Sequence, residues 1–493
     1  MCGIVGMVGS GPVNQGIYDS LLLLQHRGQD ATGIATVEPS GVMHMHKAGG
    51  MVREAFRTRD MRSLLGNVGL GHVRYATKGT ASSEEEAQPF YVNAPYGITL
   101  IHNGNLTNTR ELTGDMAKRD RRHLNSSSDT ELLVNVLANE LQSTRSSVDL
   151  EPDRVFDAVA RVHERVEGAY AAIALIAGYG LLAFRDPFGV RPLILGHRTS
   201  RDGTDEWVVA SESLVLENAD YDVVRDVEPG EAVFIAGDGT LHTRQCAADP
   251  RLRPCSFEYV YLARPDSVMN GISVYESRLR MGEKLARTIA KHTREGSIDV
   301  VMPIPDSARP SAMEVARVLG IEYREGFYKN RYVGRTFIMP GQAVRKKSVR
   351  QKLNAMSSEF QGKNVLLIDD SIVRGTTSRQ IIEMARAAGA KSVTFASAAP
   401  PVRYPHVYGI NMPSRHELIA HGRTIPEIAE ELGCDRLVYQ EVEDLRDAIL
   451  EGCKSDEERA RFDDMDLSCF NGEYVTETVT QEYLAWVEAS QES

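Results

Sequence analysis

The rhythm of apolar and polar positions changes once along this chain, near residue 240. Before that point the apolar runs are short and broken by glycine. Residues 4–9 read as a Gly-broken strand, and 70–75, 98–103, 171–176 and 207–210 read as strands bounded by turn residues. Helical spacing falls between them at 17–25 and 129–141. Short strands interspersed with helices predict a layered α+β domain. Beyond about 255 helix and strand alternate. Helices are expected at 277–291, 311–319 and 377–388, and buried strands at 300–304, 364–368 and 392–397. That βαβ order predicts a parallel sheet. Residues 436–493 are acidic and helical in pattern and read as an extension. Asp249-Pro250 and Pro254 suit a linker. The expected division is therefore 1–240, 255–435 and 436–493.

A chain of 493 residues is too long for one ordinary core, which agrees with that division. Its 42% hydrophobic and 25% charged residues are those of a soluble globular protein. A net charge of -12 gives no general pull toward nucleic acid or an anionic membrane. There is no run of ~18 apolar residues and no signal peptide, so a cytoplasmic location is expected. The cysteines, Cys2, Cys246, Cys255, Cys434, Cys453 and Cys469, are scattered and form no C-x-x-C pair. Reduced thiols fit this spacing better than a disulfide framework or a zinc site.

Candidate chemistry begins at Cys2, directly after Met1. Removal of Met1 leaves a thiol and a free α-amine on one residue. An amine of pKa ~8 can take the proton from its own side chain, so nucleophile and base come together. Taken alone, Cys2 could equally be a small buried residue at the start of a strand. Other polar groups fall at the ends of elements: His26-Arg27-Gly28-Gln29-Asp30, Gly71-His72-Val73-Arg74-Tyr75 and His102-Asn103-Gly104-Asn105. Asn103-Gly104 is a hairpin signal. It is also an amide beside a Gly N–H, the material of an oxyanion hole.

Together with Ser128-Asp129-Thr130-Glu131, these segments resemble, in order, the N-terminal nucleophile glutaminase domain of class II glutamine amidotransferases. The resemblance covers most of residues 1–235. It implies a four-layer αββα sandwich and assigns roles. Cys2 attacks the glutamine carboxamide, and Asn103 and Gly104 stabilise the oxyanion. Arg74 grips the substrate carboxylate, Asp129 holds its ammonium, and Arg27 and Gly28 line the site.

A second constellation lies at 365–378. An apolar strand delivers Asp369 and Asp370, and a loop rich in Gly and hydroxyls then opens a helix. Backbone N–H groups at a helix N-terminus suit a phosphate monoester. Adjacent carboxylates can orient ribose hydroxyls or hold hydrated Mg²⁺. The segment resembles the phosphoribosyl pyrophosphate (PRPP) motif of type I phosphoribosyltransferases, an α/β fold with a central parallel sheet. That resemblance puts Asp369 and Asp370 on ribose and metal. It puts the 5′-phosphate in Ser371, Val373, Arg374, Gly375, Thr376 and Thr377, and makes Ser307, after Pro303-Ile304-Pro305-Asp306, a metal-side donor. The basic stretch 328–352 is a solvated charge run, a nucleic-acid patch or a lid over pyrophosphate. The overall acidity disfavours the second. Lys329, Arg331, Arg335 and Lys352 are its candidate phosphate contacts.

The two halves in this order resemble the amidophosphoribosyltransferase family along nearly the whole chain, including 257–267 between them. The resemblance implies that ammonia from glutamine is channelled to PRPP, giving 5-phosphoribosylamine, glutamate and pyrophosphate in the first committed step of purine synthesis. It further implies Mg²⁺, feedback by purine nucleotides such as AMP and GMP, and a homotetramer. Phe257, Tyr259, Tyr261, Tyr332 and Ile338 either line the ammonia path or are ordinary core. Some family members carry an iron–sulfur cluster and a propeptide. Neither is expected here, because Cys2 follows Met1, His406 stands at a cluster position and Cys469 is alone near the end. The rival readings are another class II amidotransferase, such as glucosamine-6-phosphate synthase, and a PRPP-binding regulator with a vestigial glutaminase. The 365–378 motif opposes the first, and intact Cys2, Asn103, Gly104 and Asp129 oppose the second.

Overall fold

A computed structural model describes residues 2–75, 84–143, 150–330, 353–412 and 414–492. In the first half, successive residues of one strand serve different cores. On Gly168–Ile176, Ala171, Ile173 and Leu175 face one apolar cluster while Tyr170, Ala172 and Ala174 face another. Such a strand is apolar on both faces because both are covered, which explains its unbroken hydrophobic run. The strand belongs to a six-stranded sheet ordered Leu241–Gln245, Glu231–Ala236, Gly180–Arg185, Gly168–Ile176, Ile98–Leu106, Phe90–Val92. A seven-stranded sheet stacks on it, in the order Asp222–Asp226, Ile194–Thr199, Asp205–Ala210, Gly3–Val8, Val68–Arg74, Ala31–Val37, Met43–Gly49. The strand pairs in both sheets are antiparallel. Helices Asn14–Leu23 and Ser213–Asn218 cover the outer face of the second sheet, and Asp129–Ser143 and Pro152–Arg165 that of the first. The result is four layers, αββα.

The second half is a five-stranded parallel sheet ordered Glu322–Tyr323, Val300–Pro303, Asn364–Asp369, Ser392–Ser397, Arg436–Tyr439. Helices Val274–His292 and Arg309–Leu319 cover one face, and Thr376–Ala387 and Ile425–Leu432 the other. The strand order reverses between Val300–Pro303 and Asn364–Asp369. A parallel sheet opens a ligand crevice at the carboxyl ends of such a pair. The edge strand Arg436–Tyr439 lies just past residue 435, so the sheet reaches into the segment read as an extension. Four-residue strands carry too little periodicity to mark such an edge in sequence.

A further core sits at the junction of the halves. It gathers Ala169 and Val190 from the first half, Phe257 and Tyr259 from the connector, Val402 and Tyr408 from the second, and Phe470 and Leu484 from the chain's end. The connector is tied down by bridges from Leu252 to Phe462 and from Cys255 to Asp466. Phe257 and Tyr259 belong to this core, whereas Tyr261 is 42% exposed. Tyr332 and Ile338 lie outside the described residues.

Charged groups are buried at the same junction. Arg27 pairs with Glu212 and, at 2.8 Å, with Glu258, which also meets Arg191 at 3.2 Å. Glu212 further accepts from Ser267 Oγ at 2.7 Å and from the Arg264 N–H at 3.0 Å. Burial alone would raise the Glu212 carboxyl; the charges of Arg27 and His26 overcome this and hold it well below the usual carboxylate range. A depressed carboxyl stabilises the fold at neutral pH and loses that contribution as pH falls through its folded value. Glu212→Ala would leave two buried guanidinium groups to share Glu258. We expect a loss of about 3–5 kcal/mol and a drop in the first thermal midpoint of roughly 10 °C. An unchanged midpoint in differential scanning calorimetry would show that this network is not a stabilising element.

Candidate functional site

The first centre forms where strand ends meet. Cys2 precedes Gly3–Val8, whose neighbour Val68–Arg74 ends at Arg74. The backbone nitrogen of Cys2 donates to Asn103 Oδ1 at 3.2 Å. Asn103 is fully buried, and its Nδ2 has no hydrogen-bond partner among the described residues. A buried amide N–H left unpaired is costly unless a ligand completes it. The Asn103-Gly104 pair lies inside the continuous strand Ile98–Leu106, so its hairpin reading gives way. Gly104 has φ 149°, and a Cβ there would stand 1.9 Å from the Ala169 carbonyl oxygen. Only glycine fits.

Cys2, Arg74, Gly104 and Asp129 line one cleft of about 30 Å³. Arg74 Nη2 holds Glu86 at 2.6 Å, and Ser127 Oγ donates to the same carboxylate at 3.0 Å. Asp129 opens the helix Asp129–Ser143 and accepts the Leu106 N–H at 3.1 Å. A guanidinium and a carboxylate in one cleft complement the two charges of a free amino acid. Burial lowers the pKa of His72 and His102, so both imidazoles are neutral beside Cys2. The structure does not bring Arg27 to this cleft: its guanidinium turns into the junction network. Gly28 stays near, packed on the Arg74 backbone.

The second centre lies in the crevice of the parallel sheet. Asp369 ends its strand and Asp370 follows, both buried. Burial pushes both carboxyls up, Asp369 strongly because the charge of Asp370 adds to it. Ser307, after the strand Val300–Pro303, donates its hydroxyl to Asp370, and Ser371 Oγ does so at 2.7 Å. The set is entirely oxygen, which suits a hard cation or ribose hydroxyls. Gly375, at φ 72°, caps the helix Thr376–Ala387, with Thr376 and Thr377 exposed in its first turn. Val373 points its carbonyl away, accepting the Ile419 N–H at 3.0 Å. Arg374 leans outward to Glu417 at 2.6 Å. Lys329 Nζ meets Asp306 Oδ2 at 2.7 Å, which brings it beside the 303–307 loop. Arg331, Arg335 and Lys352 lie outside the described residues.

At the junction core, Cys255 Sγ is 3.4 Å from His406 Nε2, which is 3.0 Å from Asp466 Oδ2. The three are buried within metal-ligand reach of one another. A four-thiolate cluster needs four cysteines, and this donor set does not match that chemistry.

A nucleophile-bearing αββα sandwich joined to a PRPP-type crevice defines a glutamine amidotransferase fused to a phosphoribosyltransferase. Two family models match accordingly, a glutamine amidotransferase domain over 72–218 and a phosphoribosyl transferase domain over 273–407. The chain is 55% identical to the amidophosphoribosyltransferases of Pseudomonas aeruginosa and Escherichia coli, each match covering 99% of this chain and 95% of the relative. The Saccharomyces cerevisiae relative is 49% identical over 100% of this chain and 96% of its own. A solved glutamine PRPP amidotransferase from B. subtilis, complexed with ADP and GMP, superposes with a TM-score of 0.83 at 35% identity, covering 97% of this chain and 98% of that one. The chain belongs to the amidophosphoribosyltransferase family. No described helix is long and apolar enough to cross a membrane.

Proposed function

We propose that Cys2, Asn103 and Gly104 carry out glutamine hydrolysis and that the crevice at Asp369 and Asp370 uses the ammonia. As a member of its family the chain converts glutamine, PRPP and water into 5-phosphoribosylamine, glutamate and pyrophosphate, the first step of purine synthesis. With Met1 removed, the Cys2 amine takes the thiol proton as sulfur attacks the carboxamide carbon. Asn103 Nδ2 and the Gly104 N–H meet the oxyanion, while Arg74 and Asp129 hold the substrate's charges. The proton leaves with ammonia, and water then releases glutamate from the thioester. Asn103 Nδ2, buried and without a partner among the described residues, carries this reading, since the amide oxygen is engaged by Cys2.

In the crevice, Asp369 and Asp370 align the ribose hydroxyls, and the 371–377 turn binds the 5′-phosphate through backbone N–H groups and hydroxyls. Ser307, Asp369 and Asp370 would hold Mg²⁺, which when bound would neutralise charge on the pyrophosphate. Lys329, beside the 303–307 loop, contacts that leaving group; Arg331, the other candidate contact, lies outside the described residues. Arg374 reaches the phosphate only by leaving Glu417. The ADP and GMP of the B. subtilis relative support inhibition by purine nucleotides such as AMP and GMP. We take the enzyme as a cytoplasmic homotetramer without an iron–sulfur cluster, on the donor set at His406. We divide the chain into a glutaminase unit, 1–240, a transferase unit from 255 through the strand Arg436–Tyr439, and the remaining extension.

The test is pyrophosphate release from PRPP and Mg²⁺ with glutamine or, separately, with ammonium chloride near pH ~8.5, where amines are partly unprotonated. Release with both donors is expected, and alkylating Cys2 should remove only the first. Tight PRPP binding with no release from either donor would return the chain to the regulatory reading.

A further inference from the structure

We propose that Gly409, in the transferase half, is a positioning residue for the glutaminase oxyanion hole. This rests on the role given to Gly104 above. A methyl group placed on Gly409 would lie 2.7 Å from the Gly104 carbonyl oxygen and 2.9 Å from its Cα. Those contacts are backbone, so the methyl fits only if the 103–105 strand shifts. Gly409 also has φ 98°, which a side chain rarely adopts. Two residues earlier, the Val407 carbonyl accepts from Asn105 Nδ2 at 2.8 Å, across 302 positions of sequence. The oxyanion strand is therefore held by its own sheet on one side and by residues 407–409 on the other.

That brace is itself fixed. Arg191 Nε donates to the Tyr408 carbonyl at 2.8 Å and carries the contact into the Glu258–Arg27 network. The Thr476 N–H donates to the Tyr408 hydroxyl at 2.8 Å, and Tyr474 to the Pro405 carbonyl at 2.8 Å. His406 is held by Asp466 at 3.0 Å. A segment pinned by the connector and the C-terminal extension can set the position of a strand it touches. Further along, the Ile419 side chain packs against Gly375 of the phosphate turn. One stretch of chain therefore contacts both reaction centres.

The geometry gives a split prediction. A shift of about 1 Å in an oxyanion donor affects the transition state more than the bound substrate. Gly409→Ala should lower kcat with glutamine about 10²-fold. KM for glutamine, and synthesis from ammonia, should stay within about twofold. Asn103→Ala, run alongside, tests the oxyanion reading itself. If Asn103→Ala lowers glutamine kcat and Gly409→Ala does not, the brace fails and the reading stands. If Asn103→Ala also has no effect, the reading has failed. Equal loss from glutamine and ammonia in Gly409→Ala would mark a general structural residue and overturn the proposal. Should Gly409→Ala not fold, Asn105→Asp decides alone. It removes the donor to Val407 at nearly constant volume, and a glutamine kcat within twofold of the parent would refute the brace.

Discussion

Cys2→Ala abolishes synthesis from glutamine, by at least ~10³-fold, and leaves synthesis from ammonia intact. Among the described residues Cys2 carries the only thiol that lines the first cleft, and Ala removes it while keeping the α-amine. The remaining donors cannot replace a missing covalent step, so the residual rate is that of positioned water. Ammonia added to the medium bypasses this centre entirely. Among the described residues the Cys2 cleft includes none of the crevice side chains named above, so the ammonia rate should fall by no more than about twofold. Phosphoribosylamine formation with each donor in turn measures both limbs. Loss of both activities in folded protein would mean that the centres are not chemically separate. Retention of the glutamine reaction would remove Cys2 from the mechanism.

The double substitution Asp369→Asn with Asp370→Asn should abolish synthesis from either donor, by about 10³-fold or more. Neutral amides keep the size of the carboxyls but cannot align a cation or accept from two ribose hydroxyls as carboxylates do. Stability should move the other way. Burial raises both carboxyls in the folded state, so their ionisation costs stability as pH rises past the unfolded value. Amides do not ionise, and the thermal midpoint at pH 7 should hold or rise. A glutaminase assay with Cys2 intact checks that the other half is undamaged. Synthesis surviving in this variant would take ribose and metal away from the pair.

Much of both centres could be read from local sequence. Cys2, Asn103 with Gly104, and Asp369 with Asp370 each sit in a short motif with its own mechanism. The strands that carry them were visible because apolar runs of five or six residues are long enough to show. Arg27 sits within such a motif, but its direction depends on Glu212 and Glu258, which lie 185 and 231 positions away. No spacing rule links residues so far apart. Glu86 was hidden differently: it is buried, yet it sits in the run Glu84-Glu85-Glu86, and such a run reads as a solvated surface. Arg374 belongs to the phosphate motif, yet Glu417, from a separate loop, decides where its guanidinium points. Gly409 carried no signal at all, because its need for a missing side chain is set by a backbone from the other half.

The junction core has a consequence for the order of events during synthesis. Ala169 and Leu484 belong to the same buried cluster, so it cannot close until synthesis has passed Leu484. At ribosomal rates Leu484 emerges about 300 residues after Ala169, roughly 15–60 s later. During that interval the glutaminase sheets can assemble, but the apolar face that will meet the chain's end stays open to water. A nascent chain is therefore sticky at one defined place, and its ammonia-producing half exists before the half that consumes ammonia. Because Leu484 contributes to this core, synthesis of the chain through that residue is the event that joins the two.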